Sequence, residues 1–555
     1  MGANRRPFKF PAKLRVPLRL TTGIAVAGLA WQASTKPLSA DSSLSSSGEK
    51  IKSAFDGVVR SSRAIYAITF IVVDYKYSLR SLPPNSSEYR IKLSEVHLRS
   101  ARRLLRLCEA NKGFYVKAGQ FVSSLRQVPK EYTSTLSSLQ DQAIPCHFKD
   151  IKEVITKNLG KDLSEVFLAF DEQPIAAASI AQVHHGVLKD SKEVAIKVQY
   201  PGLEQRMKID ITTMDILSKS VSWIFPDYRF QRMISQFERA MSLELDFIQE
   251  ANNSERTARN FKKNRIIKIP HVYWDLTTHQ VLTMQFCSGH KVDDLDFLKD
   301  SGIHPKKVAK ALMEVFAEMI FVHGFLHGDP HPGNILVSPE GRHGFSLVLL
   351  DHGIYIELDE RFRLDYCQLW KALILSDSQK IQHLGERFGV GKYSKYFPVI
   401  FTGRTIDSKS ALGTLMSNEE KKRLKQELRS LRMEDISSFL ESLPDDFLTI
   451  LRTDGLLRSI VSKLGAPRRV RLLAYARYAV YGLGSQSSIN SGSRVTHALS
   501  KIRTNVSHIQ FRILIEILAL LSQIEDMRYS LVSSTRRMLH GVVDFLFETL
   551  FFLHS

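Results

Sequence analysis

The sequence predicts an α+β fold of two lobes, strand-bearing first and largely helical after, preceded by a helical extension. Three observations predict it. From about Ser94 to Leu168, apolar residues recur at three- and four-residue spacing, the mark of packed helices. Two β-rich runs follow, VAIKVQY (Val194–Tyr200) and QVLTMQF (Gln280–Phe286). Beyond Asp359 the pattern is almost wholly helical. The 555 residues suffice for several structural units, and 44% hydrophobic with 24% charged residues is ordinary globular composition.

Composition also excludes. The longest apolar runs reach about ten residues, short of the roughly 20 a spanning helix needs, so a polytopic membrane protein is ruled out. Cys108, Cys146, Cys287 and Cys367 lie far apart without CxxC spacing. That excludes a disulfide scaffold and a zinc ribbon, and fits a reducing compartment. The net charge of +20, from 77 Lys and Arg against 57 Asp and Glu, asks for an anionic partner. No zinc finger, RNP motif or aromatic-interleaved basic stripe is present, so nucleotide or a membrane surface is expected, and no nucleic acid.

The elements can be taken in order. Residues 1–40 carry seven basic residues and no acid, then the small apolar run Gly23–Trp31. This is the composition of an organellar transit peptide, mitochondrial or, as the alternative, plastid. Residues 41–94 read as a Ser-rich linker (Asp41–Lys50) and a short apolar segment, Ala64–Val73, suited to an interface or to docking on the body. The helical extension spans 95–170, the strand-bearing lobe 171–290 and the helical lobe 291–485. A long helix is expected from about Arg229 to Phe261, and another from about Pro305 to His323. A C-terminal helical extension takes 486–555. Its segment Gly541–Leu553 is apolar but for Asp544 and Glu548 on one helical face, so it too suits an interface or the body, and attachment to membrane should be peripheral.

Strands first, helices later and acids on the turns between them make the layout of a phosphotransferase. Lys197 ends VAIK, where a fixed ammonium can hold nucleotide phosphates. Glu250, on the helix that follows, can hold that lysine in place. Asp329 and Asn334 stand five residues apart in HGDPHPGN, the spacing that puts a carboxylate near an acceptor and an amide on Mg²⁺. Asp351 follows an apolar strand and precedes His352 and Gly353, where a metal-binding Asp-Phe-Gly would stand. His327 and His331 invite a zinc reading, but prolines at 330 and 332 prevent the helix their spacing would need.

At these residues the sequence resembles the UbiB family of atypical kinases, the aarF-domain-containing kinases, and is most similar to their mitochondrial ADCK-type branch. The resemblance covers about residues 95–480. It rests on KAGQ (Lys117–Gln120), PIAAASIAQVH (Pro174–His184), Lys197, ELDFIQEA with Glu244, Asp246 and Glu250, and HGDPHPGN with Asp351. It implies a protein-kinase-like fold, with ATP and Mg²⁺ as cofactors and organellar lipid or quinone homeostasis as the setting. Asp329, Lys197 and Glu250 would be catalytic, and Asn334 and Asp351 the metal ligands. The nucleotide would lie against Ala176, Ala177, Ala178, Ser179, Ile180 and Ala181, with Lys197, Met284, Asn334 and Asp351. Lys117, Gly119, Gln120, Glu244 and Asp246 would form a regulatory latch.

Three departures from ordinary kinases bear on activity. Alanines replace the glycines that let backbone approach phosphates closely. Gly328 replaces the arginine of His-Arg-Asp, and no Ala-Pro-Glu follows Asp351, so the platform for a peptide substrate is missing. An ATPase or a small-molecule or lipid kinase is expected, with a nucleotide-switched scaffold or a Ser/Thr protein kinase as alternatives. On one continuous helix Glu244 and Glu250 would stand about 120° apart. Glu250 is therefore assigned to Lys197, and Glu244, with Asp246, to Lys117.

Overall fold

A computed structural model describes residues 44–484, apart from 84–85, 125–127, 142–144, 179, 226–233, scattered positions within 236–243, 340–343, 406–417 and most of 431–441. Five positions between 509 and 524 are also described. The segments expected as a transit peptide and as the apolar C-terminal helix, and Ser179, lie outside the described residues. The chain divides into two units. The first comprises residues up to Arg259 with Ile269–Ser288 and Asp351–Ile354, and the second the remainder.

The first unit opens with helix α1 (Leu44–Ser78). The Ser-rich stretch expected as a linker therefore belongs to a helix, and Ala64–Val73 is its middle rather than a separate segment. One face of α1 is made of small residues. Gly57 stands so near helix α6 (Leu203–Ile224) that a Cβ would lie 2.9 Å from Ile209 Cδ1, and the Ser61 and Thr213 hydroxyls are 2.8 Å apart. The buried Arg60 guanidinium meets the Asp210 carboxylate and the Asn111 carbonyl there. Helices α2 (Ser87–Asn111), α3 (Phe114–Ser124) and α4 (Lys130–Leu136) complete the extension. Their core joins Ala64, Ala67, Leu107, Tyr115, Leu136 and Leu139.

After helix α5 (Phe148–Leu159) comes a five-stranded antiparallel sheet. Strands β1 (Phe167–Phe170), β3 (Ala181–Leu188), β4 (Glu193–Gln199) and β6 (Val281–Gln285) lie in that order, and β2 (Ala176–Ala177) pairs with β3. Alternation along β4 decides the rest. Val194, Ile196 and Val198 point to one face and pack with Ile151 and Ile155 of α5. Ala195 and Lys197 therefore point to the other face, which Phe247 and Ala251 of helix α7 (Phe247–Asn260) cover.

The second unit holds a four-stranded sheet in the order β5 (Ile267–Lys268), β10 (Ser346–Leu349), β9 (Ile335–Ser338), β7 (His290–Lys291). A further pair joins β8 (Phe325–His327) to β11 (Tyr355–Glu357). Helix α8 (Pro305–Glu318) widens into a looser turn, Met319–His323, closed by Gly324 at φ 60°. Helices α9 (Glu360–Leu375), α10 (Ser378–Arg387), α11 (Asp445–Lys463) and α12 (Arg468–Gly484) follow. Their core is aromatic: Phe321, Tyr366, Trp370, Phe401, Phe447 and Tyr475 are all buried, with edge-to-face and stacked rings.

The wider turn frees the Phe321 carbonyl, and the buried Arg363 guanidinium donates to it. Helix α12 crosses at the same point, where a Cβ on Gly482 would come within 2.1 Å of that oxygen. A backbone atom cannot swing aside as a side chain can. Gly482→Ala should therefore cost about 1–3 kcal/mol, as overpacking does, read as a fall in the chemical denaturation midpoint.

Candidate functional site

The residues expected at the site fall in both units, and each set has its own local architecture. In the first unit the centre is Lys197. Its ammonium donates to both Glu250 oxygens at 2.7 and 2.9 Å and to Asp351 Oδ2 at 3.2 Å. The Phe247 ring lies beneath it at 5.2 Å. Lys197 and Glu250 are nearly sealed from water, whereas the Asp351 side chain is 38% exposed.

Glu250 owes its position to a break in the chain. The continuous helix expected from Arg229 to Phe261 is interrupted at Leu245 and Asp246. Asp246 Oδ1 accepts from the Ile248 amide at 3.0 Å, capping the new helix α7, and from His279 Nδ1 at 2.8 Å. This corrects the assignment of Asp246 to Lys117: its carboxylate is occupied in starting α7. The break also replaces the angular argument, since Glu244 and Glu250 lie on different elements. Glu250 falls in the first turn of α7, where the helix dipole favours a carboxylate.

The Asp351-His352-Gly353 segment is held on both sides. Glu250 Oε1 accepts from the His352 amide at 3.3 Å, and Asn253 Nδ2 donates to the His352 carbonyl at 3.0 Å. The Gly353 amide donates to Asp351 Oδ1 at 2.9 Å, which turns the carboxylate toward Lys197. Asn253 was not among the expected residues. Its only sequence signal is its place one helical turn after Glu250, and a neutral amide on a helix carries no chemical prior.

Lys117 Nζ lies 3.0 Å from Glu244 Oε1, whose side chain is 8% exposed. A Cβ on Gly353 would stand 3.6 Å from Glu244 Cγ and 3.3 Å from Asp351 Oδ1, so this pair abuts the Asp351 segment. Gly119 and Gln120 do something else. They dock α3 on its own extension. Gln120 Nε2 donates to the Leu139 carbonyl at 3.0 Å, and a Cβ on Gly119 would lie 2.3 Å from Leu139 Cδ1 and 3.1 Å from Cys108 Sγ. Of the expected latch, Lys117 and Glu244 make the ion pair, while Gly119 and Gln120 seat the helix that carries it.

The alanine-rich loop is a strand and tight turn. Ala176 and Ala177 form β2, the Ala178 amide donates to the Ala181 carbonyl at 2.8 Å, and Tyr200 Oη donates to the Ala178 carbonyl at 2.9 Å. None of its described residues takes a positive φ, which is what alanine in place of glycine requires. Ile180 and Ala181 are buried in one cluster with Met284 of β6.

In the second unit, His327–Asn334 forms a self-bonded loop. The Asp329 carbonyl accepts from the His331 amide at 2.7 Å and from Asn334 Nδ2 at 3.2 Å. The Asp329 amide donates to His327 Nδ1, and the Gly333 amide to His331 Nδ1. Both imidazoles thus serve the loop. Asn334 commits its amide nitrogen to the backbone, so oxygen is the atom it can offer a cation. Arg452 of α11 reaches within 4.0 Å of Asp329 Oδ1. At 123 residues' remove it left no local signal in the sequence.

Burial acts most strongly on Glu250 and, with the charge of Asp351, pushes its carboxyl up from 4.5 to about 7 against the pull of Lys197. Burial draws Lys197 down, but the Asp351 and Glu250 charges outweigh it and hold the ammonium above its ordinary value. Two carboxylates share one ammonium, so the fully ionised cluster keeps an excess negative charge open to a cation. The oxygens of Asp351 and Asn334 are hard donors of the kind Mg²⁺ takes.

A model of the ABC1 atypical kinase-like domain matches residues 138–385. AarF domain-containing protein kinase 1 of Xenopus tropicalis is 42% identical over 74% of this chain and 79% of its own length. The mouse protein of that name is 39% identical over 79% and 84%, and the probable serine/threonine-protein kinase abkD of Dictyostelium discoideum 40% identical over 78% and 63%. Among solved structures, the Rv3197–erythromycin complex of Mycobacterium tuberculosis is 20% identical with a TM-score of 0.45, covering 70% of this chain and all of that one.

Two outcomes are expected. A carboxyl with a higher pKa folded than unfolded contributes stability fully present below about 4.5 and lost as pH rises through about 7. Lys197 stays charged throughout that window and adds no slope. Glu250→Gln should therefore flatten the pH dependence of thermal unfolding of the nucleotide-free protein between those values. Lys117→Ala leaves Glu244 buried without its ammonium, at a cost of roughly 3 kcal/mol, the low end for a broken buried pair because Lys117 keeps some water. Amide exchange across residues 114–124 should rise, with ATP affinity retained.

Proposed function

This chain belongs to the AarF domain-containing family of atypical kinases, and from that footing we propose that it binds Mg·ATP and hydrolyses it or passes its γ-phosphoryl group to a small molecule or lipid. The proposed setting is lipid, quinone or membrane homeostasis at a mitochondrial membrane surface. One observation carries the reading. Lys197, buried and held by Glu250, offers a fixed ammonium to nucleotide phosphates, and Asp351 beside it is exposed enough to leave for a metal.

In this reading Lys197 binds and orients the α- and β-phosphates, and Glu250 fixes Lys197. Asp351 and Asn334 would hold Mg²⁺, which supplies neutralisation of charge on the phosphate oxygens. Asp329 accepts the proton of the attacking hydroxyl or water, its backbone set by His327, His331 and Asn334. The Lys117–Glu244 pair beside Gly353 restrains the extension and regulates access. Gly328 and the missing Ala-Pro-Glu argue for a non-peptide acceptor, although relatives in Dictyostelium carry serine/threonine-kinase names.

The test is Mg·ATP turnover by the purified full chain beside Asp329→Asn, in which a fall of about 10²-fold or more is expected for a lost general base. Titration with Mg·ATP should separate the acids. Asp351→Ala removes a proposed metal ligand and should weaken binding about tenfold or more, whereas Asp329→Ala should leave affinity nearly intact. Equal losses of affinity would refute this division of roles.

A further inference from the structure

Helix α1 has two faces of opposite character. At 100° per residue its buried positions, Gly57, Arg60, Ser61, Ala64 and Ala67, fall within an arc of about 120°, the face fastened to α6 and the extension. Diametrically opposite, Phe55, Val58, Tyr66, Phe70 and Tyr77 fall in a second arc of about 120°. They are 71, 47, 66, 47 and 59% exposed. The stripe runs from Phe55 to Tyr77, about 33 Å at 1.5 Å per residue. One helical face that exposes four aromatics and a valine along this length, with the Tyr66 and Phe70 rings 4.5 Å apart, marks an interaction surface rather than the scattered apolar exposure of any protein.

We propose that this face of α1 is a docking surface for an anionic lipid leaflet, lying in the plane of the membrane. The inference rests on the phosphotransferase reading only for its setting, not for its argument. Charge decides the occupant. Lys76 and Arg80 border the stripe as exposed cations, and Arg80 covers the Tyr77 ring at 4.2 Å. Lys76 covers the Phe225 ring at 4.6 Å, two residues from Trp223, which is 68% exposed. The acids among residues 55–78 are Asp56 and Asp74, both only part-exposed, and Asp74 is bound by Arg99 and Arg103. Aromatic rings with polar tips beside lysine and arginine are the residues that settle at a headgroup boundary. A helix with one face fastened to the body and the other aromatic lies in the plane of the interface, and no described helix is long and apolar enough to span a membrane.

The experiment is co-sedimentation of the full chain with phosphatidylcholine vesicles, with and without phosphatidylserine. Wild type should partition preferentially to the anionic vesicles. Phe55→Ser/Tyr66→Ser/Phe70→Ser/Tyr77→Ser should lower that partition about tenfold or more. Lys76→Glu/Arg80→Glu should lower it about tenfold, and only where phosphatidylserine is present. Thermal unfolding and ATP affinity of both variants should match wild type. Because the charge variant changes only exposed side chains, it keeps the test open if the apolar one fails to fold. Undiminished binding by both variants would place membrane attachment elsewhere and overturn the proposal. So would equal binding to neutral vesicles, or a wild-type dimer that the serine variant turns into a monomer. Vesicle binding without Mg·ATP turnover would sink the phosphotransferase reading and leave this one standing.

Discussion

A buried ammonium is costly unless carboxylates surround it, and the first unit is organised around satisfying that demand at Lys197. Strand β4 alternates, so burying Val194, Ile196 and Val198 against α5 commits Lys197 to the opposite face. That face must then supply acid. Glu250 supplies it from the first turn of α7, which starts where it does because Asp246 caps it. The Asp351 segment is drawn in by the same helix, through the Glu250 carboxylate and the Asn253 amide. The result is a cluster with more carboxylate than ammonium.

The four-residue KAGQ motif divides its labour by helical geometry. Lys117 reaches Glu244, while Gly119, about 160° round the helix from it, packs on Leu139 and Cys108, and Gln120 donates to the Leu139 carbonyl. The motif thus couples the seating of the extension to the Asp351 segment through one ion pair. The second unit solves a different problem. Its loop His327–Asn334 binds its own amides with two imidazoles and an asparagine, while Arg363 bonds the carbonyl freed by the wide turn beneath α12.

Membership of the AarF family accounts for the kinase-like fold and for the order of the motifs along the chain. It does not account for the surface of α1. That helix carries a small-residue face inward and an aromatic, cationic face outward, and its inward face is bolted to α6 by Arg60 and Asp210.

The sequence by itself determined the elements whose signal is local. β4 was legible from VAIKVQY, the loop from its Pro and Gly spacing, and the pairing of Lys197 with Glu250 from residue types at motif positions, whereas Lys117 meets Glu244 although the continuous helix from which that pairing was argued is broken at Leu245 and Asp246. What depended on chain reversal or on neutral atoms was decided only in three dimensions. The break before α7 could not be read because Asp246 serves equally as a solvated helix acid and as a cap, and His279, 33 residues on, joins it only in the fold. Asn253, Arg452 and the Gly482 crossing act through contacts with residues far away in sequence. The Ser-rich start of α1 has weak helix propensity, and the contacts that fasten this helix to α6, at Gly57, Arg60 and Ser61, come from residues about 150 positions away. Periodicity and motif spacing are properties of neighbours along the chain; caps, close approaches and exposed faces belong to neighbours in space.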